Sequence, residues 1–267
     1  MMKTMTTTLA THLDPGPPTT QELGTFLIEY GSWLLGAGAT CIRIEKNVRR
    51  IAAAYGRHVE ITVMPRHLYL AIADDSSGGA RTLMRSIAST PVSFNINSRL
   101  SELSWGIADG KITFAEAQTS FREIISSDSE RPLLVLLLVT LANASFCRLF
   151  GGDLTAMCVV ALATAAGYWL KQALLRRKTD LRVVVMLCSF VSAVLGSTDI
   201  LFGVGSTPSV ALATSVLYLV PGIPFLNSFS DLLDRHYICA FSRLTDAAVL
   251  TACLSIGLFA AMALESV

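Results

Sequence analysis

The chain has 267 residues, of which 52% are hydrophobic and only 15% charged, with a formal net charge of +1. A soluble domain carries about 25% charged residues, so part of this chain belongs in lipid, and so small a net charge gives no global field for nucleic acid. Six cysteines without a C-x-x-C pair and four histidines without metal-ligand spacing make a disulfide framework, a metal site or another cofactor unexpected.

Residues 1–18 end in Asp14-Pro-Gly-Pro-Pro18 and read as a disordered leader; Met1–Leu13 is threonine-rich and lacks the apolar core of a cleavable signal. Residues 19–130 read as a cytoplasmic α+β domain. Thr19-x-x-Glu22 is a capping box, and Leu23, Phe26, Leu27, Tyr30, Leu34 and Leu35 recur at helical spacing over residues 20–35. A second helix over Thr40–Tyr55 carries Ile44, Val48 and Ile51 on one face. Arg43, Lys46, Arg49 and Arg50 on the other make a face that is either solvated or set against anionic headgroups. His58–Met64 alternates with period two, Pro65-Arg-His67 turns the chain and Leu68–Ala73 returns, a hairpin. Asp74-Asp75 opens a Ser-Gly turn, where Asp is common for local reasons and a cation site is the minor reading; Ala80–Ser89 follows as a third strand. Helices over Asn97–Ala108 and from the Thr113-x-x-Glu116 capping box complete the domain, and Ser126–Ser129 is a linker.

Residues 131–267 read as a transmembrane domain of about five helices: Pro132–Leu149, Leu154–Leu170, Val183–Thr198, a broken fourth within Pro208–Asn227, and Cys239–Leu264. The fold class is therefore an α-helical polytopic membrane protein with an N-terminal cytoplasmic α+β domain. Lys171, Arg176, Arg177, Lys178 and Arg182 fall in the loop between spans two and three, and Arg235 between four and five. The opposite loops carry fewer basic residues, so the positive-inside rule places the N-terminus in the cytoplasm.

The fourth span carries the functional argument. It lies in the run Ile200–Ser230, which holds no charged residue, yet Pro221 and Pro224 bracket Gly222 inside it. Proline removes a backbone donor and clashes with the carbonyl four residues back. Counted from Pro208, Val220 lies ~18 Å along the span, so the break falls inside the bilayer, where irregular backbone survives only against protein or a watery cavity. The plainer alternative is a helix that ends at Val220 and turns at the interface. Asn227 and Asp231 follow one turn apart. Polar or charged residues in spans are expensive, which adds Asn143, Arg243 and Asp246 as pathway candidates, with Asp153 and Asp199 at helix ends. Asn143 serves equally as a helix–helix hydrogen bond. Asp231 is placed to take up a proton or to pair with Arg243, and Asp246 to neutralise Arg243.

No G-x-S-x-G, P-loop, H-E-x-x-H or G-x-G-x-x-G motif occurs. An enzyme is not expected, nor is direct ATP drive. The order of Leu35-Gly-Ala-Gly-Ala-Thr-Cys-Ile-Arg-Ile-Glu45, Val59–Pro65, Arg99–Ala117, Phe150-Gly-Gly152 and Pro221-Gly-Ile-Pro-Phe-Leu-Asn227 with Asp231 and Arg243 resembles the threonine/serine exporter family of bacterial inner membranes. The resemblance implies export of a small amino acid or, in two-component relatives, of a dicarboxylate such as succinate. It also implies a cytoplasmic domain ahead of five spans. Some members carry a second, smaller membrane block; the sequence stops after its fifth span, so a separately encoded second membrane protein is the expected partner, with homo-oligomerisation left open. The alternative reading is a membrane-anchored regulatory or hydrolytic protein whose soluble part is active, although an anchor needs neither five spans nor a broken one.

Overall fold

The computed structural model describes residues 17–74, 79–87, 92–127, 131–198 and 205–265. The leader up to residue 16, Asp75 of the second turn and Asp199 lie outside the described residues. The chain divides after Ser127 into two compact units.

The first unit runs α1 (Thr20–Gly36), α2 (Cys41–Ala54), β1 (Val59–Val63), β2 (His67–Asp74), β3 (Gly79–Ser86), α3 (Phe94–Ala108) and α4 (Phe114–Ser126). Both expected capping boxes are formed, Thr19 with Glu22 and Thr113 with Glu116. The sheet is antiparallel in the order β1-β2-β3. Val59, Ile61 and Val63 pair with Ile72, Leu70 and Leu68, which puts all six side chains on one face. That face is buried under α1, whose Leu23, Leu27, Tyr30 and Leu34 are fully covered, and Ile44, Val48 and Ile51 of α2 and Leu100 of α3 join the same core. The Tyr30 hydroxyl donates to the Leu100 carbonyl at 2.6 Å, and burial pushes its ionisation up, out of the accessible range.

The basic face of α2 is not uniformly solvated. Arg43 donates to Asn97 Oδ1 at 3.3 Å; Arg50 donates to Asn47 Oδ1 and Ser104 Oγ and lies 3.6 Å over the Trp105 ring. Those two arginines fasten α2 to α3, which leaves Lys46 and Arg49 exposed.

Among the described residues, the second unit has helices and no strand: α5 (Pro132–Leu149), α6 (Leu154–Arg176), α7 (Leu181–Gly196), α8 (Pro208–Ser215), a 3-10 turn (Leu217–Leu219), α9 (Gly222–Leu233) and α10 (Tyr237–Glu265). Among the described residues three helices, α5, α6 and α10, are long and apolar enough to cross a membrane; α8 and α9 pass the same test as one pair bent by 62°. Helix α7 has 16 residues, fewer than the ~20 a crossing needs. The expected five crossings thus appear as three to four by length and composition. Helix α6 also extends to Arg176 rather than stopping at Leu170, so Lys171 is a helical residue and not a loop residue. With no hydrophobic drive between helices in lipid, small residues set the packing: Ser189, Ser192, Ala193 and Gly196 of α7 and Ala247, Gly257 and Ala261 of α10 are buried. Outward, Leu133, Leu137 and Leu141 of α5 and Phe241 and Phe259 of α10 are exposed apolar side chains, as lipid contact requires.

Candidate functional site at the broken span

The break has a definite backbone course. Helix α8 ends at Ser215, one 3-10 turn follows, Val220 is extended (φ −60°, ψ 127°), and α9 restarts at Gly222 behind Pro221. The two prolines do different work. Pro221 stops the first segment, because a helix continuing through it would lose a donor and press its ring on the Leu217 carbonyl. Pro224 sits in the first turn of α9, where an amide hydrogen has no intrahelical acceptor, and so is tolerated there. Gly222 stands in open space.

The depth of the break follows from its neighbours. Asn143 Nδ2 donates to Thr164 Oγ1 at 2.6 Å and to the Thr214 carbonyl at 3.0 Å. Asn143 lies ~16 Å along α5 and Thr164 ~15 Å along α6 at ~1.5 Å per residue. The end of α8 is therefore level with the middle of two neighbouring helices, not with their ends. A helix terminus at that depth exposes carbonyls that water cannot reach, and Asn143, 3% exposed, satisfies one of them. Below it, the Tyr218 hydroxyl and Ser192 Oγ are 2.9 Å apart, and Ser192 Oγ donates to the Ala163 carbonyl at 3.2 Å. A Cβ at Gly167 would collide with both hydroxyls, so α6 reaches this group only because that residue is glycine.

A second polar group joins α9 to α10. Arg243 Nη1 is 3.3 Å from Asp231 Oδ2; Asp231 is fully buried and the Arg243 side chain 17% exposed. Ser228 Oγ donates to the Ala240 carbonyl at 2.8 Å, and the His236 amide donates to the Asp231 carbonyl across a turn in which Arg235 takes φ 65°. Asn227 is half-buried one turn before Asp231. Asp246 is exposed, so the carboxylate that meets Arg243 is Asp231. Both hydrogens of the Asn143 amide are committed to Thr164 and Thr214, which sets Asn143 apart from the Asp231–Arg243 group.

Asp153 caps α6. Its Oδ1 accepts from the Ala156 amide at 2.7 Å and its Oδ2 from the Ser206 amide and hydroxyl at 2.6 and 2.8 Å. These bonds, the Ala156 amide first, hold its carboxyl down at about 2. A cleft of about 550 Å³ lies elsewhere, in the first unit, between α1 and α4, lined by Glu22, Phe26, Glu29, Phe121 and Arg122 among others.

Sequence reasoning passed over Thr164, Ser192, Tyr218 and Lys171. A signal existed for part of this set: Thr164, Tyr168 and Lys171 are spaced by four and three residues, a polar stripe on one face of an otherwise apolar helix.

A family model described as "Putative threonine/serine exporter" (ThrE) matches residues 25–265. The chain belongs to the ThrE family. Two ThrE relatives carry the description "Probable succinate transporter subunit YjjP". One, from Klebsiella aerogenes, is 26% identical over 237 residues, covering 88% of this chain and 91% of the relative. The other, from Escherichia coli (strain K12), is 24% identical with the same coverage. No solved structure matches the chain significantly. Membership of ThrE makes the chain a membrane transport protein and not an enzyme.

Proposed function

We propose that the chain is one subunit of a secondary exporter that moves a small polar metabolite, threonine or serine or a dicarboxylate such as succinate, across the bacterial inner membrane. The observation that carries this reading is the interrupted α8–α9 span, whose first segment ends level with the middle of α5 and α6. Half-helix ends present partial charges to a passing solute. In this reading Pro221, Gly222 and Pro224 shape the opening, Asn143 braces the backbone that lines the path, Asn227 offers hydrogen bonds, and Asp231 and Arg243 exchange partners during the cycle, with Asp246 at the edge of the path. Residues 1–18 are a leader, 19–130 form a cytoplasmic domain and 131–267 cross the membrane five times, with α7 as the third crossing and α8–α9 as the fourth. The cluster Arg176, Arg177, Lys178 and Arg182 supports that orientation. The description of the relatives as subunits supports a second membrane protein as partner.

The test is metabolite profiling of the medium from cells carrying the chain with and without a candidate partner. Accumulation of threonine, serine or succinate that is lost on Asp231→Asn is expected. An unchanged medium for every combination would sink the export reading.

A further inference from the structure

Lys171 is a cation in the membrane unit that the reading above leaves without a task. It lies ~25 Å along α6 at ~1.5 Å per residue, half-buried, on the face that carries Thr164 and Gly167. Its ammonium is 5.6 Å from the centre of the Tyr168 ring. Tyr168 in turn packs edge-on against Tyr218, the two ring centres 6.1 Å apart, and Tyr218 belongs to the 3-10 turn of the break. Among the described residues no carboxylate comes within 4.0 Å of Lys171 and no acceptor takes a hydrogen bond from it. The hydroxyls beyond it are occupied: Ser192 donates to the Ala163 carbonyl, so Tyr218 donates to Ser192. The three ammonium hydrogens of Lys171 are therefore donors on offer beside the Tyr218 turn, while its neighbours on α6, Tyr168 and Gly167, bring no negative charge.

We propose that Lys171, set on the Tyr168 ring beside the Tyr218 turn, is the anion anchor of the pathway and takes the carboxylate of a small organic acid or amino acid. This rests on the export reading and deepens it. A half-buried ammonium with no internal acceptor gains a charge-assisted hydrogen bond from any carboxylate that reaches it. The ring below holds the side chain in place through a cation–π contact. The same ammonium chemistry also suits a lipid phosphate, since a lysine near a helix end extends toward headgroups, so the test separates the two sources.

Full-length chain is reconstituted in bilayers of phosphatidylcholine, with and without phosphatidylglycerol. Succinate and L-threonine serve as probes, and succinamide and L-threoninamide as counterparts that lack the carboxylate. Two quantities are read: the apparent affinity for each probe, and acylation of Lys171 in the unsubstituted protein, followed by mass spectrometry. The anchor predicts that at least one carboxylate slows acylation of Lys171 while its amide does not. It also predicts that Lys171→Gln weakens that carboxylate by about tenfold to a hundredfold and leaves the amide unchanged. If carboxylate and amide weaken alike, or acylation is slowed by phosphatidylglycerol and not by the probes, the assignment is overturned. Should Lys171→Gln fail to reach the membrane, the acylation experiment decides alone. If the unsubstituted protein moves a probe and neither readout involves Lys171, the anchor falls and export stands; if it neither binds nor moves any probe, the export reading falls first.

Discussion

Asp231 on α9 and Arg243 on α10 meet at 3.3 Å, the carboxylate wholly buried and the guanidinium nearly so. Removing one partner of a buried pair leaves the other charge uncompensated, at a cost of about 3–5 kcal/mol, whereas removing both costs far less. Asp231→Asn and Arg243→Gln are each expected to lower the unfolding midpoint of the detergent-solubilised chain strongly. The double variant should fall well short of the sum of the two single losses. Additive losses would show that the two side chains do not act as a pair.

Asn143 tests a different link, between the polar core and the broken backbone. Asn143→Leu keeps the volume roughly but withdraws both donors, leaving the Thr214 carbonyl and the Thr164 hydroxyl to find other partners. Interhelical hydrogen bonds in membranes average about 0.6 kcal/mol, and an unsatisfied buried carbonyl adds about 1–3 kcal/mol. A loss of about 1–3 kcal/mol is expected, measured by thermal unfolding. Thr164→Val, which leaves the bond to Thr214 in place, should cost less. Equal costs would mean that the Thr214 carbonyl is not what Asn143 serves.

How much of this was legible in the sequence depends on range. Capping boxes, strand alternation and the position of the break are local patterns, so α1, α4, β1 and β2 appear within one or two residues of where periodicity puts them. Pro221 breaks the helix through its own ring, with no help from distant residues. The partner of Arg243 was harder to fix, because Asp246 and Asp231 are both close in sequence and only the turn at Arg235 decides between them. A helix–helix hydrogen bond was one of the two readings of Asn143, but its partners Thr164 and Thr214 were not legible, since they lie 21 and 71 positions away on other helices. Lys171 was misplaced for a simpler reason: a lysine after an apolar run looks like the end of a helix, but here α6 continues for more than another turn.

The glycines of the membrane unit separate close approach from an open turn. A Cβ at Gly167 would strike Ser192 Oγ and the Tyr218 hydroxyl, and one at Gly257 the Met186 carbonyl, whereas a Cβ at Gly222 meets nothing within 4 Å. Gly167→Ala and Gly257→Ala are therefore expected to cost about 1–3 kcal/mol through overpacking. Gly222→Ala, at the first position of α9, should change stability by less than about 0.5 kcal/mol. The comparison is read from unfolding midpoints of the three variants side by side, and a Gly222→Ala as damaging as Gly167→Ala would contradict the open geometry of the break.

Asp153 links the chain's acid stability to one carboxylate. Its value of about 2 in the fold lies below the ordinary 3.8, so the folded state binds this proton less readily than the unfolded one. For a lowered carboxylate, the stabilising contribution is complete above the unfolded value and is lost as pH falls through the folded one, here between about pH 4 and about pH 2. The group is open to solvent, so salt weakens the effect. The expected result is that the unfolding midpoints of the unsubstituted chain and of Asp153→Asn differ at neutral pH and converge as pH is lowered through that window. Parallel curves, with a constant gap down to about pH 2, would mean that the bonds from Ala156 and Ser206 do not depend on the carboxylate's charge.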